Sequence, residues 1–476
     1  MNRTLKNSIS LLLLASVSTG SAWATNGYFA HGYSAKEKGR AGTGVARGAD
    51  SFASANNPAN LLDVGDRLEA GAAFFMPFRS YTVTGGPSAN AAVPIFGPGG
   101  YCPQPGVVPC QIPFSLTPGT VDSDSEFFLI PSFGYTKQMS DTMAWGVAVY
   151  GNGGMNSDYS ASNASASLFN GSPTAPSIVT APGTFGAGKT GVDLIQLFIN
   201  TSVAYQATEK LSVGGGLVFA IQSFEANGLG PFANNTLDAT ALTNNGHDMS
   251  YGYGFKFGAT YDVSDKFSLG FSYQTEMEMS DFDDYSGLFA EGGAFNIPST
   301  YSVGFVWDTS DSSTFFFDLQ EISYSDVKAI SNGITPLLNG SCADALNNFL
   351  FSGVPGPATG SGCLGGADGA GFGWDDVTVY KFGYEWGPTD NQWRVGFSTT
   401  DQPISSGELN FNILAPGVVE EHYTAGYTMG GDNGTEWTFS FMYAPEVEVT
   451  GPSMFDPAQT ITIRMDQLEF GFAYKF

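Results

Sequence analysis

From about residue 66 onward, nearly every ordered segment of the chain alternates apolar with small or polar residues at a period of two. That is the rhythm of β-strands, not helices. Leu211, Val213, Leu217, Phe219 and Ile221 share one face, and Ser212, Gly214, Gly216, Ala220 and Gln222 the other. From Phe267 the apolar set is Phe267, Leu269, Phe271, Tyr273, Met277 and Met279, with Ser268, Gly270, Ser272, Gln274, Glu276 and Glu278 opposite. Trp437, Phe439, Phe441 and Tyr443 repeat the device. A soluble sandwich also alternates, but it buries aliphatic side chains and turns charge outward. Here the polar face is small and nearly uncharged, and the apolar face is thick with aromatics. That suits a wall with lipid outside and a polar or packed lumen.

Fourteen candidate strands follow, at 67–83, 125–137, 142–155, 191–206, 210–225, 249–262, 266–280, 298–308, 313–328, 374–386, 392–401, 419–430, 434–449 and 461–476. An even count is the rule for single-chain bacterial outer-membrane barrels. Gaps after even-numbered strands are tight, at 138–141, 207–209, 263–265, 309–312, 387–391 and 431–433. Gaps after odd-numbered strands are long, the largest at 84–124, 156–190 and 329–373. Short periplasmic turns and long external loops produce this sorting. The chain ends on Phe472-Ala473-Tyr474-Lys475-Phe476, with alternating aromatics as in exported barrels. Closure also removes the exposed edges of an open sheet. The expectation is an all-β, 14-stranded antiparallel transmembrane β-barrel in the outer membrane of a Gram-negative bacterium.

The remaining features agree with export. Arg3 and Lys6 precede an apolar run from Ile9 to Val17, and Ala22-Trp23-Ala24 offers a small-x-small cleavage site. Residues 1–24 therefore read as a secretory signal peptide. No later segment holds ~18 continuous apolar residues, the length a spanning helix needs. Cys102 and Cys110 lie in one Pro/Gly-rich stretch, Cys342 and Cys363 in another, and both stretches are long external loops. Neither pair has C-x-x-C spacing or neighbouring histidines, so two local disulfides are expected and no metal site. A net charge of -27 opposes a nucleic-acid partner. Gly42-Thr43-Gly44 lacks the strand-then-helix context of a dinucleotide site, and no P-loop occurs, so no cofactor is expected. Asp281, Asp283 and Asp284 read as an acidic solvated loop in preference to a Ca²⁺ site. His31, His247 and His422 are scattered, with no spacing that argues a catalytic triad.

Ahead of the first strand, residues 25–66 do not share the alternation and carry Lys36, Lys38, Arg40 and Arg47. About 14 strands enclose a bore too wide for side chains alone to fill. This segment is therefore expected to be an N-terminal hatch folded into the lumen, with 67–476 forming the barrel. A plugged bore argues against open diffusion of salts and sugars.

Parity assigns side chains to the lumen. The aromatics of 251–261 take odd positions, so Lys256 points inward between Gly254 and Gly258. Tyr380, Phe382, Tyr384 and Trp386 face lipid and turn Lys381 inward; Trp393, Val395 and Phe397 do the same for Arg394. A basic residue on the lipid face at the midplane costs ~2–4 kcal/mol, which favours the same assignment. Inward cations in a dehydrated pocket are candidates to bind a ligand carboxylate. The alternative is pairing with acids such as Glu276, Glu278 or Glu385. Counting back from Phe476 leaves Met465, Ile463 and Ile461 on the lumen side near the external end. An apolar lining there suits a pathway for hydrophobic molecules better than a water-filled pore.

Several motifs together resemble the FadL/TodX family of outer-membrane transporters. They are Asn57-Pro58-Ala59-Asn60-Leu61 before the first strand, Tyr150-Gly151-Asn152-Gly153-Gly154-Met155-Asn156 in the third and Asp193-Leu194-Ile195-Gln196-Leu197-Phe198 in the fourth. Asp318-Leu319-Gln320, Tyr324-Ser325-Asp326-Val327 and Gly371-Phe372-Gly373-Trp374-Asp375-Asp376-Val377 complete the set, which spans essentially the whole mature chain. The resemblance implies passive uptake of long-chain fatty acids or related hydrophobic compounds. Ligand would be captured outside and released sideways into outer-membrane lipid at a kinked third strand, by a monomer that is not an enzyme. It marks Asn57, Pro58 and Ala59 as hatch or gate, and Gly151, Asn152, Gly153 and Gly154 as the exit kink. Clustered glycines at a strand end support a kink on their own chemistry, since they permit bulge dihedrals. Two other readings are an outer-membrane lipid hydrolase, which needs a serine beside His422, and a general polar porin, which needs charge ladders in the lumen.

Overall fold

The structure, a computed structural model, describes residues 26–88, 114–170, 177–343 and 356–476. Fourteen antiparallel strands form the wall. They are β1 (Arg67–Gly85), β2 (Phe128–Ser140), β3 (Met143–Tyr159), β4 (Thr190–Gln206), β5 (Leu211–Asn227), β6 (Asp248–Ser264) and β7 (Phe267–Gln274). The second half is β8 (Thr300–Ser310), β9 (Ser313–Ile322), β10 (Val377–Trp386), β11 (Asn391–Thr399), β12 (Glu421–Gly430), β13 (Glu436–Pro452) and β14 (Gln459–Lys475). Each pairs with the next in sequence, and β14 closes on β1 with Lys475 opposite Glu69. Among the described residues no helix is long and apolar enough to cross a membrane.

The period-two pattern translates directly into two faces. Tyr251, Tyr253, Phe255 and Phe257 of β6 are exposed outward, and so are Trp437, Phe439, Phe441 and Tyr443 of β13. Their alternates, among them Ser250, Lys256, Thr438 and Ser440, are buried inside. An aromatic outer surface exposed all round a closed sheet is stable only against lipid. β1 starts at Arg67 as expected and runs two residues further, β2 is shifted by three residues at both ends, β9 stops at Ile322 and β10 starts at Val377. The last external connection, 453–458, is short.

One register expectation is overturned. The strand expected over 266–280 ends at Gln274, and a two-residue strand, Glu278–Met279, resumes pairing on β6. Thr275 interrupts the ladder: its amide bonds to the Phe255 carbonyl at 3.0 Å, and its Oγ1 accepts the Phe255 amide at 3.0 Å. The irregularity inverts parity, so Met277 and Met279 are buried instead of facing lipid. Glu278 becomes exposed and Glu276 accepts from Asn296 at 2.8 Å, so neither supplies a lumen counter-ion.

Cys342 and Cys363 form a disulfide within the long β9–β10 connection, whereas Cys102 and Cys110 lie outside the described residues. Three short strands, Phe114–Leu116, Ser165–Asn170 and Ser177–Pro182, join the first two external loops in a small sheet.

Residues 26–66 thread the lumen from the external half down to the periplasmic end, through short helices at Ala35–Lys38, Ala53–Asn56 and Leu61–Val64. Each hatch cation meets a wall acid. Lys36 pairs with Glu436 at 2.7 Å, Lys38 with Glu469 at 2.7 Å and Arg47 with Asp308 at 2.7 Å, while Arg40 lies 3.7 Å from Glu385. In return Asp318 of β9 accepts the Gly44 and Val45 amides. Asn57 accepts the Ala59 amide at 3.0 Å and donates to Val45 and to Ala259 of β6, tying the hatch turn to the wall. A Cβ at Gly258 would lie 1.8 Å from Asn57 Oδ1, so this wall position is glycine to admit the hatch.

Candidate functional site

The wall is interrupted at its third strand. Pairing between β2 and β3 runs from Ser140–Met143 to Phe133–Val149 and stops. β3 continues to Tyr159 paired only with β4. Within that pairing Gly151 sits opposite Leu197 and Gly153 opposite Gln196, so Asn152 is an extra, bulged residue. Such a bulge bends its strand away from the neighbour it would otherwise pair with. Above the opening the two sides meet again, where the Asp124 amide donates to the Asp158 carbonyl at 2.7 Å. The result is a window between β2 and β3 that runs from Val149 to Asp158, roughly 30 Å along the strand at ~3.3 Å per residue.

The hatch begins in this window. The Ala30 amide donates to the Asn152 carbonyl at 2.7 Å, and the Gly154 amide donates to the Tyr28 carbonyl at 3.1 Å. The first hatch residues thus satisfy the edge of β3 that β2 leaves bare. A Cβ at Gly153 would stand 1.8 Å from Tyr28 O, so only glycine permits this approach. Asn152 donates to Gln196 at 3.0 Å, and Gln196 to Gln222 at 3.1 Å, which fixes the bulge from the β4 side. The N-terminal segment is clamped from above. Tyr324 Oη donates to the Asn26 carbonyl and accepts the Tyr28 amide, and Trp374 packs 5.2 Å from Tyr324 and 6.0 Å from Tyr28. Asn412 accepts Trp374 Nε1 at 2.6 Å and fixes the indole.

Three spaces lie along this axis. An apolar groove of about 30 Å³ among the external loops is lined by Phe224, Phe232, Phe289, Phe372, Phe411 and Leu414. Next to it, a narrow inner pocket of about 10 Å³ is bounded by Gly27, Arg79, Gly154, Met155, Trp374, Pro416 and Met465. Phe372 and Leu414 of the groove adjoin Trp374 and Ala415 of the pocket along the chain. Outside the window a polar recess of about 540 Å³ is framed by Asp124, Glu126, Asp158, Asp193 and Glu225, and it shares Asn156 with the inner pocket.

The residues singled out from sequence distribute unevenly over this geometry. Gly154 and Met465 line the inner pocket, Gly151 to Gly153 form the bulge, and Ile461 and Ile463 are buried without lining these spaces. Arg394 is ion-paired to Glu385 at 2.5 Å and bonded to Thr428 at 2.6 Å. Lys256 donates to the carbonyl of Ala55, and Lys381 to that of His31 at 3.3 Å. All three cations face the lumen, but each touches hatch or wall and none lines the three spaces. Arg79, Tyr28, Tyr324 and Trp374 were not singled out. Tyr324 and Trp374 lie inside motifs that carry the family resemblance, whereas Arg79 shares the parity of Tyr81 and Val83, which the lipid-facing rule turns outward and the structure buries inside with it.

His422 has a serine partner, Ser398, at 3.1 Å. The pair is sealed beneath the hatch, the imidazole stacks on His31 at 5.8 Å, and His422 Nε2 has no hydrogen-bond partner among the described residues. Without a carboxylate to orient the imidazole, this is a packing contact and not a hydrolytic dyad. Within the hatch, burial pushes the Glu37 carboxyl up to about 8, with Asp50 adding to the effect. Burial, then Lys38 and the neighbouring His422 and Lys381, hold His31 well below the usual imidazole range. The described residues contain no cluster of three or more metal-binding side chains.

The chain matches the family model described as outer membrane protein transport protein (OMPP1/FadL/TodX) over residues 15–429. Among solved structures it is similar to the Pseudomonas putida toluene transporter TodX, at 14% identity and a TM-score of 0.62, covering 94% of this chain and 98% of that one. A Pseudomonas aeruginosa FadL homologue is similar at 15% identity and a TM-score of 0.59, covering 94% and 99%. The Ralstonia pickettii toluene transporter TbuX follows at 14% identity and a TM-score of 0.53, covering 94% and 98%. No curated protein sequence matches.

Proposed function

The chain belongs to the OMPP1/FadL/TodX family of outer membrane transport proteins, and from that premise we propose that it takes up long-chain fatty acids or related hydrophobic compounds passively. Capture takes place in the external apolar groove, transfer runs through the inner pocket beside Trp374, and release is sideways through the window between β2 and β3. One observation supports this reading: neighbouring residues, Phe372 with Trp374 and Leu414 with Ala415, border groove and pocket, Gly154 of the window strand lines that pocket, and the only backbone standing in the window among the described residues is the hatch segment at Tyr28–Ala30. That segment is held by few hydrogen bonds and aromatic contacts, so a ligand that fills the pocket competes with it directly.

The drive is partitioning, at ~0.8 kcal/mol for each CH₂ removed from water, together with consumption downstream. The resting structure leaves Lys256 and Lys381 serving the hatch, and a carboxylate reaches them only if the hatch moves. The aromatic groove suits aromatic hydrocarbons as well as acyl chains, and TodX and TbuX are toluene transporters. The test is uptake of labelled oleate, toluene and maltose by cells with and without this chain. Chain-dependent oleate or toluene uptake is expected. Maltose uptake alone would mean a polar pore and overturn the reading.

A further inference from the structure

Arg79 differs from every other buried arginine described. Arg40, Arg67 and Arg394 each have a wall carboxylate, and Arg79 has none within ion-pair distance. Its guanidinium donates instead to two backbone carbonyls, Asn156 on β3 and Ser125 in the segment leading to β2. Its Nε has no hydrogen-bond partner among the described residues. The two carbonyls lie on opposite sides of the window, so the side chain ties the window shut below the Asp124–Asp158 contact. The same side chain borders the inner pocket, where it is the only cation among the described residues and its neighbours include Met155, Trp374, Pro416 and Met465.

A buried guanidinium whose direct partners are neutral carbonyls, with Asp193 and Glu126 acting on it only from beyond ion-pair distance, is an incompletely neutralised charge beside an apolar cavity. Charge-assisted, bidentate bonds to a carboxylate are roughly twice as strong as bonds between neutral groups. The planar fork of arginine matches that geometry, and a lysine would not. Resting on the transport reading above, we propose that Arg79 is the headgroup-reading latch of the window. A fatty-acid carboxylate that enters the inner pocket takes the guanidinium N–H groups from Asn156 and Ser125, and the two sides of the window are released. A neutral hydrocarbon or alcohol of equal length gives the guanidinium no better partner, so it does not work the latch. The site therefore assigns this chain a preference for ionised amphiphiles over neutral ones. An unequal affinity for the closed and open states is what a ligand needs to shift the equilibrium.

The experiment compares oleate with oleyl alcohol on the purified, detergent-solubilised protein and on cells, for the wild type, Arg79→Gln and Arg79→Lys. Heat-modifiable gel migration confirms a folded barrel for each. The wild type is expected to bind oleate about ten-fold more tightly than the alcohol, a difference of about 1.4 kcal/mol. Arg79→Gln is expected to lose that preference with alcohol binding unchanged, and Arg79→Lys to keep part of it. In hydrogen exchange, oleate should loosen the Asp124 and Asp158 amides of the wild type and not those of Arg79→Gln. Equal loss of both ligands in Arg79→Gln, or a wild type that treats them alike, would overturn the latch and leave the transport reading standing. A wild type that neither binds nor imports either compound, toluene included, would overturn the transport reading and the latch with it.

Discussion

The Gly154 amide donates to the Tyr28 carbonyl across 3.1 Å, and that bond belongs to a strand edge and a plug at once. An unpaired strand edge at membrane depth is costly, because lipid offers no partner for the exposed N–H and C=O groups. The barrel leaves β3 unpaired from β2 over its outer half and yet meets this requirement, because the hatch stands in for the missing strand. Hatch position and wall integrity are thereby one variable.

If so, Gly153→Val acts on the hatch and not on the strand. The added Cβ would meet Tyr28 O at 1.8 Å, a backbone atom that can yield only if the segment lifts. Amide exchange at Ala30 and Gly154 is expected to rise at least about ten-fold, with the remainder of β3 and β4 protected as before, since local opening need not spread. Unchanged exchange at these two amides would show that the hatch does not cap the strand.

The barrel itself was readable because lipid imposes a strict rule. Every strand must show one face to the membrane, and tight turns must join alternate pairs, so Tyr251–Phe257 and Trp437–Tyr443 declare their orientation in the residue pattern. The rule failed where the ladder breaks: Thr275 shifts parity by one, and Met277 and Met279 turn inward. The site was readable only in its parts. Gly151–Gly154 marks the kink, but Phe232, Phe372 and Phe411 meet in the groove only through loop packing that no spacing encodes. Parity put Lys256 and Lys381 in the lumen correctly but cannot tell a ligand carboxylate from a hatch carbonyl.

Arg394→Ala tests the wall pair as structure. It leaves Glu385, which is largely buried, with the neutral Gln392 amide at 3.2 Å and the more distant Arg40 at 3.7 Å. Removing one partner of a buried pair costs roughly 3–5 kcal/mol. The urea midpoint of the folded barrel should fall accordingly, and oleate and oleyl alcohol uptake should decline in parallel. A selective loss of oleate would instead make Arg394 a ligand contact.

The disulfide bears on the groove. Cys363 precedes Leu364, which lines the groove, and the bond closes a loop across a sequence separation of 21. Closing a loop of that length is worth about 3 kcal/mol in the chain-entropy account. In the Cys342→Ser, Cys363→Ser double variant the loop should lose exchange protection and oleate should bind more weakly, with the barrel's urea midpoint unmoved. A lowered midpoint would place the disulfide in the stability of the wall.

Acidity should tighten the hatch through Glu37. This carboxyl is buried, accepts the Tyr33 amide at 3.2 Å, and is pushed up from 4.5 to about 8 by burial and by Asp50. The folded hatch therefore holds a proton that the released segment gives up between those two values. Stability follows the difference in bound protons, so the contribution is complete below about 4.5, declines as pH rises, and is gone above about 8. Exchange protection of the hatch amides around Gly39–Thr43, corrected for intrinsic rates, should fall across that window in the wild type. Glu37→Gln keeps the shape and carries no proton to lose, so its protection should stay level. A Glu37→Gln profile with the same decline would assign the pH dependence to another group and remove Glu37 as its source.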